Sequence, residues 1–511
     1  MYKNVLNQNG VGKILLLSLS LSSIKASAQL SLTGQLRTRS ELRSGYGTLQ
    51  PLGNSASVFT AQRTRLTFNY RSSKLIFQTS VQDVRLWGQD ASTISTADGN
   101  KLGIHEAWAE LILSNKKDTS FKSSPFDYFA IKLGRQEIAY DDERLLGALD
   151  WTTQARRHDA LVFKLLQKGW QVDLGVAFNQ HTDAINYNGT YYTPANVPAT
   201  VKDNNGNLTN TPAGFLPLVN TAGNSDKKGG PVFVNPPGTN GLTQNYKAFQ
   251  YLYTAKKIGK TKVSGLFFAD QFGKYKLDSV KNIANGNTGY IYGRRFNQSG
   301  VNTRITTGLL VNPVFGAGNQ WAATAGYYYQ GGRDKDSLQL NAYMLTSSLA
   351  YKAGKMSYTA GWDYLSGNNA FSASKTNHRF DPLYGTPHKF WGYMDYFYAV
   401  SGAPNGGLSD PYLKVKLTST RFTAELAGHY FMLGNDQKDA SGQALSKHLG
   451  TELDLTAAYK LNKLTTVDLG LSYMAASRSM EYAKNITPGT TNLSPVWAYL
   501  QINIKPDFLN K

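Results

Sequence analysis

The sequence holds 511 residues with a formal net charge of +20, no cysteine, 17% charged residues and 12% aromatic ones. The missing cysteines exclude a disulfide-stapled scaffold and a thiolate metal site. After Gln29 no stretch stays apolar for the roughly 20 residues that a membrane-crossing helix needs. The mean hydropathy of −0.37, with 31 Tyr, 23 Phe and 48 Gly, still suits a membrane β-barrel, whose strands turn alternate residues to lipid and to water.

In chain order, Lys3 and Lys13 come before an apolar run from Ile14 to Ile24, and Ala26-Ser27-Ala28 follows. A basic start, a short apolar middle and a small-residue site predict a signal peptide over residues 1–28, with the mature chain starting at Gln29. Removing Lys3, Lys13 and Lys25 leaves 51 bases against 34 acids, or +17. A field of that sign draws anions. The expected partners are the lipid bilayer, lipopolysaccharide phosphates and an anionic saccharide cargo. Nucleic acid is set aside because the chain is secreted.

The first mature segment, QLSLTGQLRTRSELRS, alternates Leu30, Leu32, Gly34 and Leu36 against Arg37, Arg39, Glu41 and Arg43. A repeat of two predicts a strand, and its length suits a strand that crosses a membrane. VFTAQRTRLTFNYR repeats the pattern, with Leu66, Phe68 and Tyr70 opposite Arg63, Arg65 and Arg71. GWQVDLGVAFNQ and the hairpin pair GTELDLTAAYKL and LTTVDLGLSYMAA follow it. The fold class expected is all-β: an antiparallel transmembrane barrel of about 18 strands over residues 29–511. Short turns such as Arg71-Ser72-Ser73 and Gln167-Lys168-Gly169 alternate with long loops, the longest near 181–244 and 367–410. The last strand, VWAYLQINIK, runs on into Pro506-Asp507-Phe508 rather than stopping on an aromatic. The pattern starts at once after Gln29, which leaves no room for a plug domain ahead of the barrel.

If the leucines face lipid, the alternate arginines face the lumen, because an arginine in lipid costs about 2–4 kcal/mol near the midplane. The expected lumen path is Arg37, Arg39, Arg43, Arg63, Arg65 and Arg85. A guanidinium fork matches a carboxylate with two hydrogen bonds. The competing reading is a ladder that braces the wall, with Glu41, Asp83, Glu106 and Glu110 as partners, and both stay open. The charge-dense stretch 134–159 suits a loop folded inward to narrow the pore. Its candidates for a constriction are Arg135, Asp141, Arg144, Arg156, Arg157 and Asp159; the alternative is a solvated outer loop.

His158 beside Asp159 could suggest a hydrolase, but no GxSxG motif accompanies it, so no enzyme is expected. Asp436 and Asp439 lack the spacing of a calcium loop, and neither metal nor cofactor is expected. The aromatic run Phe390 to Tyr398 could stack on sugar rings, fill a loop core or join the interfacial belt.

Three stretches carry a family resemblance. They are GRQEIAYDDERLLGALDWTTQARRHDALVF (134–163), FDPLYGTPHKFWGYMDYF (380–397) and the closing hairpin from Gly450 to Glu481. They resemble the alginate-export family of outer-membrane barrels. The resemblance implies an eighteen-stranded monomer in the Gram-negative outer membrane, with an arginine-rich lumen that passes an acidic sugar polymer. Periplasmic export or uptake partners would feed such a channel, and its direction and exact cargo stay open. The expected function is passive passage of anionic solutes, acidic saccharides above all. The alternatives are a less selective nutrient porin and a surface adhesin or scaffold.

Overall fold

The computed structural model describes residues 29–88, 102–118, 120–121, 124–179, 197–233, 246–296, 300–399, 402 and 404–509. The expected signal peptide lies outside them. Eighteen long antiparallel strands close one barrel. They are β1 (Gln29–Ser44), β2 (Ser57–Arg71), β3 (Leu75–Leu86), β4 (Leu102–Asn115), β5 (Tyr128–Gln136), β6 (His158–Gln167), β7 (Trp170–Phe178), β8 (Ala248–Ile258) and β9 (Thr261–Gly273). The second half is β10 (Val301–Asn312), β11 (Trp321–Arg333), β12 (Gln339–Ala353), β13 (Met356–Leu365), β14 (Leu408–Thr418), β15 (Phe422–Met432), β16 (His448–Lys460), β17 (Thr465–Ala476) and β18 (Val496–Ile504). Each strand pairs with its sequence neighbour, and β18 returns to β1, from Leu36 opposite Ile504 to Ser44 opposite Val496. Closure leaves no free edge, so backbone polar groups at lipid depth are satisfied within the sheet.

Side-chain alternation divides the wall. Leu66 is 47% exposed and Leu309 59%, in a belt with Leu36, Leu133, Leu174, Phe267 and Leu453 on the outer face. Such exposure would be costly in water and is favourable against acyl chains. The inner face is polar and aromatic. Inward tyrosines lie flat over glycines on the next strand. Gly175 faces Tyr251, Gly361 faces Tyr412 and Gly470 faces Tyr499. A Cβ at any of these glycines would fall inside the ring opposite.

The turns 168–169, 259–260 and 354–355 mark one end of the barrel, and the long connections mark the other. Two of the long connections, 137–157 and, over its described residues, 366–407, fold back into the lumen. The described part of the longest, 179–247, carries strands of its own, where a structureless loop was expected. Its strand Phe215–Val219 pairs with Tyr290–Arg295 from the connection after β9, and Tyr290–Arg295 pairs with Lys276–Lys281. Val201, Phe215 and Ile291 form a small core there. Residues 180–196 and 234–245 of that connection lie outside the described residues. The expected boundary of the second long loop shifts slightly, because Leu408 to Asp410 already belong to β14.

Beyond β18 the chain turns back along β1. Gly34 donates its backbone N–H to the carbonyl of Pro506 at 2.9 Å, and Phe508 donates to Leu32 at 2.9 Å. The Phe508 ring lies over Gly34 and is 57% exposed on the outer face. An aromatic thus ends the barrel after all, four residues past the last strand.

Candidate functional site: the inner loops and the charged lumen

The two inward loops meet over the lumen. They run side by side at Leu146 and Tyr384, where Gly147 donates to the Tyr384 carbonyl at 3.0 Å and Tyr384 to the Leu145 carbonyl at 2.9 Å. Beneath them an apolar core collects Ile138, Leu145, Leu146, Tyr246, Phe249, Phe268, Tyr384, Trp391 and Met394. Among the described residues, eight of the twelve non-glycine residues with positive φ lie in these loops: Asp141, Glu143, Leu149, Ala155, Leu383, Trp391, Asp395 and Tyr398. Each such residue costs on the order of 1 kcal/mol or more and persists only where its surroundings impose it.

Charged residues fix the loops to the wall. Arg37, Arg63 and Arg65, inward from β1 and β2, converge on Asp150 of the first loop at 3.6, 2.8 and 3.9 Å. Arg37 also donates to the backbone carbonyls of Asp150 at 2.7 Å and Thr152 at 2.8 Å. Arg39 donates to the Trp151 carbonyl at 2.8 Å, and its guanidinium sits 3.9 Å over the Trp151 ring. Glu41 holds both Arg39 and Arg43, each at 2.8 Å. Burial acts to raise the Asp150 carboxyl, but Arg63, Arg37 and Arg65 outweigh it and hold the group below the usual carboxylate range. The inward arginines on these strands therefore serve largely as clamps for the loop.

The constriction candidates separate into two sets. Asp141, Arg144 and Arg156 lie inside. Asp141 accepts from Tyr253 at 2.8 Å and Ser264 at 2.9 Å and pairs with Lys262 at 2.8 Å. Arg144 pairs with Asp363 on β13 and lies 4.0 Å over the Phe390 ring. Arg156 is buried and binds the carbonyls of Tyr384 and Gly385; burial lowers its pKa to about 10. Four expectations need correction. Arg135 and Asp159 are cross-strand partners on the outer face, two positions beyond the lipid-facing Leu133 and Leu161, and their side chains bond each other at 2.9 Å. Arg157 is exposed and shares their field. Arg85 lies opposite Gln62 on the face that carries Leu66 and Phe68, and it pairs with Asp83 at 2.6 Å rather than facing the lumen. Strand parity places these residues outside the channel.

Two cavities open at the short-turn end. One, of about 460 Å³, is roofed by Arg37, Asp150, Trp151, His388 and Lys389 and walled by Tyr393, Lys416, Glu425, Asp468 and Tyr499. Its charges are mostly paired: Lys389 with Glu143 at 2.6 Å and Lys416 with Glu425 at 3.4 Å. The other, of about 510 Å³, is lined by Arg71, Trp108, Glu110, Lys132, Lys164 and Asp173 among others. Glu110 pairs with Lys164 at 2.8 Å. Lys132 makes no ion pair among the described residues and lies 3.9 Å over the Trp108 ring. These lysines were not singled out in the sequence. The signal was there, since Lys132 and Lys164 alternate with the apolar Ile131, Leu133, Phe163 and Leu165.

The alginate-export family model matches residues 28–183. OpdO of Pseudomonas aeruginosa superposes with a TM-score of 0.53 at 10% identity, over 94% of this chain and 98% of that one. OccK9 (OpdG) of the same species gives 0.52 at 12% identity, over 94% and 99%. A BenF-like porin from Pseudomonas fluorescens Pf-5 gives 0.52 at 10%, over 94% and 99%. No curated protein matches the chain. The chain is therefore an eighteen-stranded barrel of the outer-membrane porin fold, and its first part, residues 28–183, matches the alginate-export family.

Proposed function

We propose that the protein is an outer-membrane channel for anionic solutes, acidic saccharides in particular. The observation that carries this reading is the cavity wall of Arg71, Lys132 and Lys164. Among the lining residues three cations face two acids, Glu110 and Asp173; Lys132 makes no ion pair among the described residues and shares the field of Glu106 and Glu137 behind the wall. A carboxylate entering from the short-turn side, the periplasmic side in this reading, meets these three cations on the wall. The charge is spread over several residues, so each contact is weak enough to release its cargo. The half-buried ring of Tyr393 and the more deeply buried Tyr499, in the neighbouring cavity, offer ring edges to a sugar. The family match over residues 28–183 supports an acidic polymer as cargo, and the net charge of the chain agrees with it. The barrel would sit in the Gram-negative outer membrane and act without catalytic chemistry.

The test is the reversal potential of the purified protein in planar bilayers under a salt gradient, with liposome swelling in neutral and uronic oligosaccharides. Anion preference should fall when Arg71, Lys132 and Lys164 are all replaced by Gln. An unchanged preference, or swelling that ignores sugar charge, would overturn the reading.

A further inference from the structure

β4 carries a bulge. Ser80 of β3 pairs with Glu106 and Val81 with Ile104, so His105 is the extra residue. A bulge re-aims side chains, and here two successive residues, His105 at 0% and Glu106 at 8% exposure, are both buried. Glu137, the first residue beyond β5, reaches the same spot, and its carboxylate lies 2.9 Å from His105 Nε2. Trp108 Nε1 at 2.9 Å and Gln78 Nε2 at 2.6 Å hold the Glu106 carboxylate in place. His105 Nδ1 is buried without a partner, so the ring's one polar tie is to Glu137.

We propose that His105, Glu106 and Glu137 form a site for a divalent first-row cation of the zinc class. The candidate ligand atoms of the three side chains all lie within 4.8 Å of one another, a spread that small movements could draw around one ion. One imidazole nitrogen and two carboxylate oxygens suit zinc or cobalt. Calcium, which takes six to eight oxygen ligands, finds too few here. The Glu137 side chain is 30% exposed, so lumen water can reach the ion and complete its shell. Without the ion, the charge of Arg65 faces both glutamates and balances them in part. The site joins the base of the loop 137–157 to β4. A bound cation therefore staples the inward loop at its root.

Cobalt and zinc are the probes. The full barrel, refolded in detergent and freed of metal with a chelator, should take up Co²⁺ stoichiometrically with visible ligand-field absorption, and Zn²⁺ should displace it. Zn²⁺ should also raise the temperature at which the barrel loses its heat-dependent gel mobility. Glu137→Gln keeps a hydrogen-bond acceptor for His105 but removes a charge, and His105→Gln removes the nitrogen ligand. Both should lose the cobalt spectrum, with gel mobility showing that each barrel is folded. Should His105→Gln fail to fold, Glu137→Gln alone decides the matter. No stoichiometric Co²⁺ or Zn²⁺ uptake by the parent chain, or an unaltered spectrum in folded Glu137→Gln, would overturn the site. Neither outcome bears on anion preference, which is read separately.

Discussion

Asp150 Oδ1 lies 2.8 Å from Nη1 of Arg63, whose side chain is only 1% exposed. The contact ties the second strand of the wall to a loop 87 positions away, and Arg37 and Arg65 reinforce it from either side. Asp150→Asn leaves three clustered guanidiniums without their acid. The carboxylate is about half exposed, so the expected loss of loop docking is discounted to about 1–2 kcal/mol. The barrel should keep its thermal stability while single channels become larger and noisier. Unchanged conductance traces would show that Asp150 does not hold the loop.

Acid should act on the same contact. The Asp150 carboxyl sits below its ordinary value, near 4, because the arginines outweigh the effect of burial. A lowered folded value means that the stabilisation is present above the ordinary value. It is lost as pH falls through the lower one. Conductance noise should therefore rise below about pH 4 in the parent channel and be insensitive to acid in Asp150→Asn.

The outward arginines give the opposite expectation to the lumen lysines. Arg135→Gln with Arg157→Gln changes charge on the lipid-facing side of the rim, so the reversal potential should stay at the parent value. A clear loss of anion preference in that double variant would mean that strand parity misplaces the pair.

Strand parity also shows how far the sequence could be read. Period-two alternation marks the strands and the inner position of Arg37, Arg39, Arg63 and Arg65, because each face repeats along a whole strand. The same count, continued from Leu133 to Arg135 and from Phe77 to Arg85, puts those arginines outside. Dense charge around 134–159 suggested a pore lining instead, since charge density carries no direction. The convergence on Asp150 could not be read at all. It depends on how a loop with several positive-φ residues folds back, and that is set by contacts with Tyr384 and Thr386 more than 200 positions away.

Gly470 and Tyr499 offer a test of the wall. The ring lies on the glycine of the next strand, and a β-branched side chain would push it off. Gly470→Val should lower stability by about 1–3 kcal/mol through overpacking, read as a lower temperature of the gel-mobility transition. Tyr499→Leu combined with Gly470→Val should recover part of the loss, because the clash is gone.

The fold-back of Pro506 to Phe508 onto β1 bears on biogenesis. Gln35 and Asn503 hydrogen-bond across 468 positions of sequence, and joining such distant points costs about 5 kcal/mol of loop-closure entropy. The cylinder can zip shut only after the final residues have arrived. Until then the first strand presents unpaired amides to its surroundings, a hazard that Phe508 and its neighbours end by latching the finished seam.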